Sequence, residues 1–116
     1  MKLCLLLAIL FFSNLLILKF NSLENALNEL ELTEIAEKLD PNDYLLLGIR
    51  LGFDKARLSQ FKHDNPGNIA GAMATMLIRW KNDQSAPPRV VRRTLADALK
   101  YVERSDLADM VYNQGN

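Results

Sequence analysis

Apolar positions recur along most of this chain at the spacing of an amphipathic helix. Leu23, Ala26, Leu27 and Leu30 stand at i, i+3, i+4 and i+7, and Leu32, Ile35, Ala36 and Leu39 repeat the spacing. The stripe shifts by two positions between the sets, which fits either two helices or one helix with a rotated face. Asp40-Pro41 ends the run, because a proline ring disfavours helical geometry in the residue before it. The same pair opens the next helix, with Asp40 as N-cap and Pro41 in the first turn, where a missing N–H costs nothing. That helix carries Tyr44, Leu47, Gly48 and Leu51 on one face, and Gly52 supplies a left-handed end. Asp54 caps a third helix with Leu58 and Phe61 inward, stopped by the turn sequence Asn65-Pro66-Gly67. Asn68 caps a fourth, with Ile69, Ala72, Met73, Met76, Leu77 and Trp80 in register. Ser85 to Pro88 reads as a linker. Val91, Leu95, Ala98, Leu99 and Val102 form a fifth stripe, and Ser105-Asp106 starts a short sixth through Leu107, Met110 and Val111. No strand-like alternation competes, so the pattern predicts an all-α bundle of six short helices. A lone Trp in helical register with Met73 and Leu77 reads as core packing before it reads as a ligand platform.

The first twenty residues follow a different rule. Leu3 to Leu18 is apolar except for Ser13 and Asn14, with Lys2 before it and Lys19 after it. A bilayer span takes roughly 20 apolar residues and a signal-peptide core roughly 7–15. The segment therefore fits a membrane anchor or the remnant of one, a signal-like leader, or a buried terminus. Bulky Phe20 stands where a cleavage site wants a small residue, and the flanking bases are too even to orient a span. Cys4, inside this stretch, reads as an apolar thiol more readily than as a palmitoylation site. The organisation expected is residues 1–20 as this segment, 21–29 as a linker or extension of the first helix, 30–112 as the bundle and 113–116 as a tail.

Composition removes most chemistry. One Cys and one His cannot build a four-ligand zinc site or a disulfide framework. His63 lies at an expected helix end, where imidazole complements the helix C-terminus, without the nucleophile and oxyanion donors that catalysis needs. The glycines form no phosphate loop and the acids no calcium loop. No enzyme, cofactor or metal is expected, and no small-molecule substrate.

Charge carries more information. The 14 Lys+Arg and 14 Asp+Glu cancel, so there is no cationic surplus of the kind nucleic-acid binding draws on. Yet Glu24 to Asp43 holds seven acids against Lys38, a balance of −6, and Arg79 to Arg104 holds seven bases against three acids, a balance of +4. Two unlike surfaces on one module permit head-to-tail association. Glu34, Asp40 and Asp43 also suit helix starts, where negative charge is stabilised by the dipole. Arg89, Arg92 and Arg93 crowd the start of the fifth helix, the end that disfavours cations, which points to a carboxylate-bearing partner. Arg50, Lys55 and Arg57 form a weaker basic candidate.

Several of these residues together resemble a known family. Asp43-Tyr44, Leu47-Gly48 and Leu51-Gly52-Phe53 resemble the second helix of a death domain and its exit. Leu58 and Phe61 fall where that family places apolar residues in its third helix. Met76-Leu77-Ile78-Arg79-Trp80 is similar to its fourth-helix signature. Thr94-Leu95, Ala98-Leu99, Arg104 and Asp106-Leu107-Ala108 are similar to its fifth helix and the start of its sixth, and Ile35-Ala36 with Leu39 to its first. The likeness covers Leu30 to Val111, with Tyr44 where Trp is commoner and Gly48 where Ala is commoner. It implies a six-helix antiparallel bundle, cored by Ile35, Leu39, Tyr44, Leu47, Leu51, Leu58, Phe61, Met76, Leu77, Trp80, Leu95, Leu99 and Leu107. It also implies a non-catalytic module that binds other death domains, homotypically or heterotypically, as an adaptor or receptor tail in apoptotic or innate-immune signalling. The corresponding location is cytoplasmic, with residues 3–18 as a cytosolic-face anchor. Beside it stand a small secreted or membrane-associated helical carrier and, less well matched, a nucleic-acid module using the Arg89–Arg104 stretch.

Overall fold

The computed structural model describes residues 26–114. Six α-helices follow one another: α1 (Glu29–Lys38), α2 (Tyr44–Arg50), α3 (Lys55–Asp64), α4 (Ile69–Asn82), α5 (Pro88–Tyr101) and α6 (Ser105–Gln114). A 3-10 turn at Pro41–Asp43 leads into α2. The all-helical bundle expected from the spacing is the observed fold. The readings placed on residues 1–25, including Cys4 and the apolar segment, lie outside the described residues. Among the described residues, no helix is long and apolar enough to cross a membrane.

Short polar side chains set the helix starts. Asn28 Oδ1 accepts from the Glu31 amide at 2.8 Å, Asp54 Oδ1 from Arg57 at 2.7 Å, and Asn68 Oδ1 from Gly71 at 2.9 Å. Each satisfies a first-turn N–H that has no partner inside its helix. The Asn28 cap sets the register of the first described helix. The helix begins at Glu29, Leu27 is buried just before it, and Leu30 is 70% exposed. Leu30 therefore does not share the inward stripe of Leu27, because the register restarts at the cap.

Two helices, α2 and α5, end on left-handed residues. At α2, Gly52 (φ 103°) sends its N–H to Ile49 O, and Phe53 N–H reaches Gly48 O, both at 3.0 Å. The same pair of bonds closes α5, from Glu103 N–H to Lys100 O (3.0 Å) and from Arg104 N–H to Leu99 O (2.9 Å). There the left-handed residue is Glu103, with φ 64° and a side chain that disfavours it.

Packing pairs α1 with α4, α3 with α4, α2 with both α3 and α5, and α5 with α6. The expected core positions are buried, Trp80 included, apart from Leu51, which is half-buried against the cluster. Tyr44 points inward and its hydroxyl donates to Leu58 O at 2.5 Å, joining α2 to α3. Burial raises its pKa above the usual 10.0, since the phenolate would lose hydration. Gly48 faces α3 so closely that an added Cβ would run into the Leu58 side chain, with Met76 Sδ 3.0 Å away. An alanine here would have to push aside the terminal methyls of Leu58, a side chain buried in the core.

Candidate protein interface

The charged residues singled out by sequence divide into those that hold the bundle together and those that face outward. Arg92 belongs to the first kind and corrects its assignment as a surface contact. It is 5% exposed, and its Nη1 donates to Glu31 Oε1 at 2.8 Å and to Val111 O at 2.9 Å. The reason is helical phase: Arg92 shares a face with Leu95, Ala96 and Leu99, the inner face of α5. One guanidinium thereby joins α1, α5 and α6. Glu31 lies on the inner face of α1 beside Leu32 and Ile35, and its Oε2 has no hydrogen-bond partner among the described residues. Helical spacing could have marked each of them as inward-facing, though not as partners.

Asp40 is exposed and Asp43 half-buried, and Asp40 also does structural work. Asp40 Oδ1 caps the 3-10 turn through the Asn42 amide at 2.9 Å. Both acids act electrostatically on Arg104, whose Nη1 donates to Lys38 O at 2.9 Å and whose Nε and Nη2 grip the two Asp106 oxygens at 3.1 and 3.0 Å. The hydrogen bond from Arg104 is the main reason the Asp106 carboxyl titrates below its usual range, and the same bond holds the guanidinium proton more tightly. This cluster clips the end of α1 to the start of α6.

The outward set is Glu34 on α1, Arg50 at the end of α2, Arg57 at the start of α3, and Arg89 and Arg93 on α5, all exposed. The structure spreads them over four helices instead of gathering them in one patch. Arg50 lies 4.6 Å from the Tyr101 ring centre and Arg57 5.5 Å from that of Phe61, so each stacks on an aromatic ring. His63 is exposed in the last turn of α3. Among the described residues, no group of three or more His, Cys, Asp or Glu could hold a metal ion.

A surface feature outside that set is apolar. Leu45, Leu46 and Ile49 point away from the core at 47%, 46% and 46% exposure, while Tyr44, Leu47 and Gly48 of the same helix are buried. A helix apolar on every side is ordinarily covered on every side. The run Tyr44-Leu45-Leu46-Leu47 was the available signal, because three successive leucines cannot share one helical face.

Six helices close on one core, joined by the Arg92–Glu31 pair between α5 and α1 and by the Tyr44–Leu58 bond between α2 and α3. The family model for the death domain matches residues 29–115. The chain belongs to the death-domain family. No curated protein and no solved structure is found to match it. The death domain is a protein-interaction module of homotypic assembly, so the surface is where its function resides.

Proposed function

We propose that this death domain acts as an adaptor or receptor tail, assembling with other death domains in apoptotic or innate-immune signalling. Family membership across residues 29–115 carries the reading. The exposed charges Glu34, Arg50, Arg57, Arg89 and Arg93 supply electrostatic contacts on several sides of the bundle, which suits joining more than one neighbour. The role is non-catalytic, and the bundle works on the cytosolic side. Residues 3–18 serve as its anchor there, raising the effective concentration of weakly binding domains.

The test is capture of purified death domains, this chain among them, by immobilised full-length protein. Saturable capture of at least one is the expected result, and capture of none overturns the reading. Protease protection in intact cells tests the location: a bundle digested from outside the cell overturns it.

A further inference from the structure

We infer that the outward face of α2 docks on an anionic membrane surface, its apolar side chains entering the lipid interface and the bases around them meeting the headgroups. This deepens the proposed cytosolic-face placement, on which it rests, by naming the surface that meets the lipid. Leu45, Leu46, Ile49 and Arg50 stand at i, i+1, i+4 and i+5 of α2, which puts them on one side of the helix, and all four are exposed. Tyr44, Leu47 and Gly48 turn the other way into the core. Folding has therefore used one apolar side of α2 and left the second without a partner in the bundle. Exposed apolar side chains gathered on one short helix mark a contact site more than a solvated surface.

The groups around that apolar row are those an anionic lipid surface attracts. From Tyr44 to Lys62 four bases, Arg50, Lys55, Arg57 and Lys62, stand against Asp54 alone, and Asp54 Oδ1 is engaged by the Arg57 amide. Asp43, just before this stretch, is half-buried and acts on Arg104. Cations lie at both ends of α2. Lys62 Nζ is 5.0 Å from the Tyr44 ring centre at its start, and Arg50 is 4.6 Å from that of Tyr101 at its end. Long basic side chains in such places hold their charge at headgroup level while their stems cover apolar surface. Tyr101, 54% exposed, adds an amphipathic ring of the kind that settles at a membrane interface. The exposed acids Glu34 and Glu37 belong to α1, which packs on α4, whereas α2 packs on α3 and α5. A negative surface, such as the cytoplasmic leaflet presents, attracts the α2 face and repels the α1 acids, so the uneven charge turns α2 toward the lipid. The contact needs no spanning helix, because an element of this kind lies in the interface with its apolar side against the acyl boundary.

The test places a fluorescent dye on the full-length chain, through Leu46→Cys in a Cys4→Ser background, and reads its quenching by a spin-labelled lipid. Vesicles of phosphatidylcholine alone are compared with vesicles that also contain phosphatidylserine. Quenching at position 46 in the anionic vesicles, and several-fold less in the neutral ones, is the expected result. A dye placed instead through Glu34→Cys, on α1, stays unquenched in both. Lys55→Glu with Arg57→Glu weakens docking at position 46 by about tenfold or more, at roughly fivefold for each base taken from an anionic surface. All these α1, α2 and α3 positions are exposed, and unchanged circular dichroism and melting show the bundle intact. Because every sample is the full chain, an anchor in residues 3–18 acts equally in all of them and leaves the difference to α2. No quenching at position 46, equal quenching in the two kinds of vesicle, quenching as strong at position 34, or quenching that survives the charge reversal overturns the inference. Protection of the position-46 dye by a purified death domain, without quenching by lipid, assigns the face to protein; it overturns the lipid contact and leaves the broader assembly reading in place.

Discussion

Arg92 and Arg93 are neighbours in sequence with opposite duties. Arg93 is exposed, whereas Arg92 is buried in an ion pair and bonded to a backbone carbonyl. Breaking a buried pair leaves an uncompensated charge at a cost of about 3–5 kcal/mol. Arg92→Glu, which sets two carboxylates together, is therefore expected to lower the melting temperature sharply, and Arg93→Glu to leave it nearly unchanged. Equal melting of the two variants would contradict the pairing. Tyr44 supplies a second prediction. Its folded pKa is raised, so its stabilising effect is complete below pH 10 and is lost as pH climbs through the higher folded value. Denaturant titrations from pH 9 upward should show stability falling in the wild type, with a shallower fall in Tyr44→Phe.

At the scale of the helix, two glycine-type positions behave oppositely. Alanine in place of Gly48 gains about 1 kcal/mol of helix propensity, but its methyl must displace Leu58, itself 2% exposed. Overpacking of this kind costs about 1–3 kcal/mol. Gly48→Ala is expected to destabilise by about 1 kcal/mol net in chemical denaturation; a more stable variant would show that Leu58 can move freely. Glu103 presents the reverse case, an ordinary residue in the left-handed position that ends α5. Glu103→Gly should stabilise by about 0.5–1 kcal/mol by removing the steric penalty at Cβ. The Gly52 end was readable because glycine announces it. The Glu103 end was not, because its conformation is imposed by the α5–α6 junction that Arg104 clips.

Across the whole molecule, a net charge of zero conceals an acidic α1 and basic rims on α2, α3 and α5. Raising ionic strength from about 0.1 M to about 1 M shortens the screening length from about 10 Å to about 3 Å. Assembly through the exposed charges is expected to weaken several-fold across that range, measured as captured partner at constant protein concentration. Capture unaffected by salt would argue that the charges are solvated bystanders. Glu34, Arg50, Arg57, Arg89 and Arg93 were legible in the sequence as charges, but their separation onto four helices was not.

The sequence by itself determined the elements and their inward faces. Helical spacing selects Leu32, Ile35, Leu47, Leu77, Trp80, Leu95 and Leu99 for burial, and Asp54, Asn68 and Gly52 mark boundaries through bonds made within a few residues. Such information is local, and local patterns are written in the chain. Tertiary structure alone decided that Arg92 meets Glu31 across 61 positions, that Gly48 must yield to Leu58, and that Leu45, Leu46 and Ile49 are left uncovered. Those outcomes depend on which helices become neighbours, and the meeting of side chains distant in sequence is fixed only when the helices close on one another.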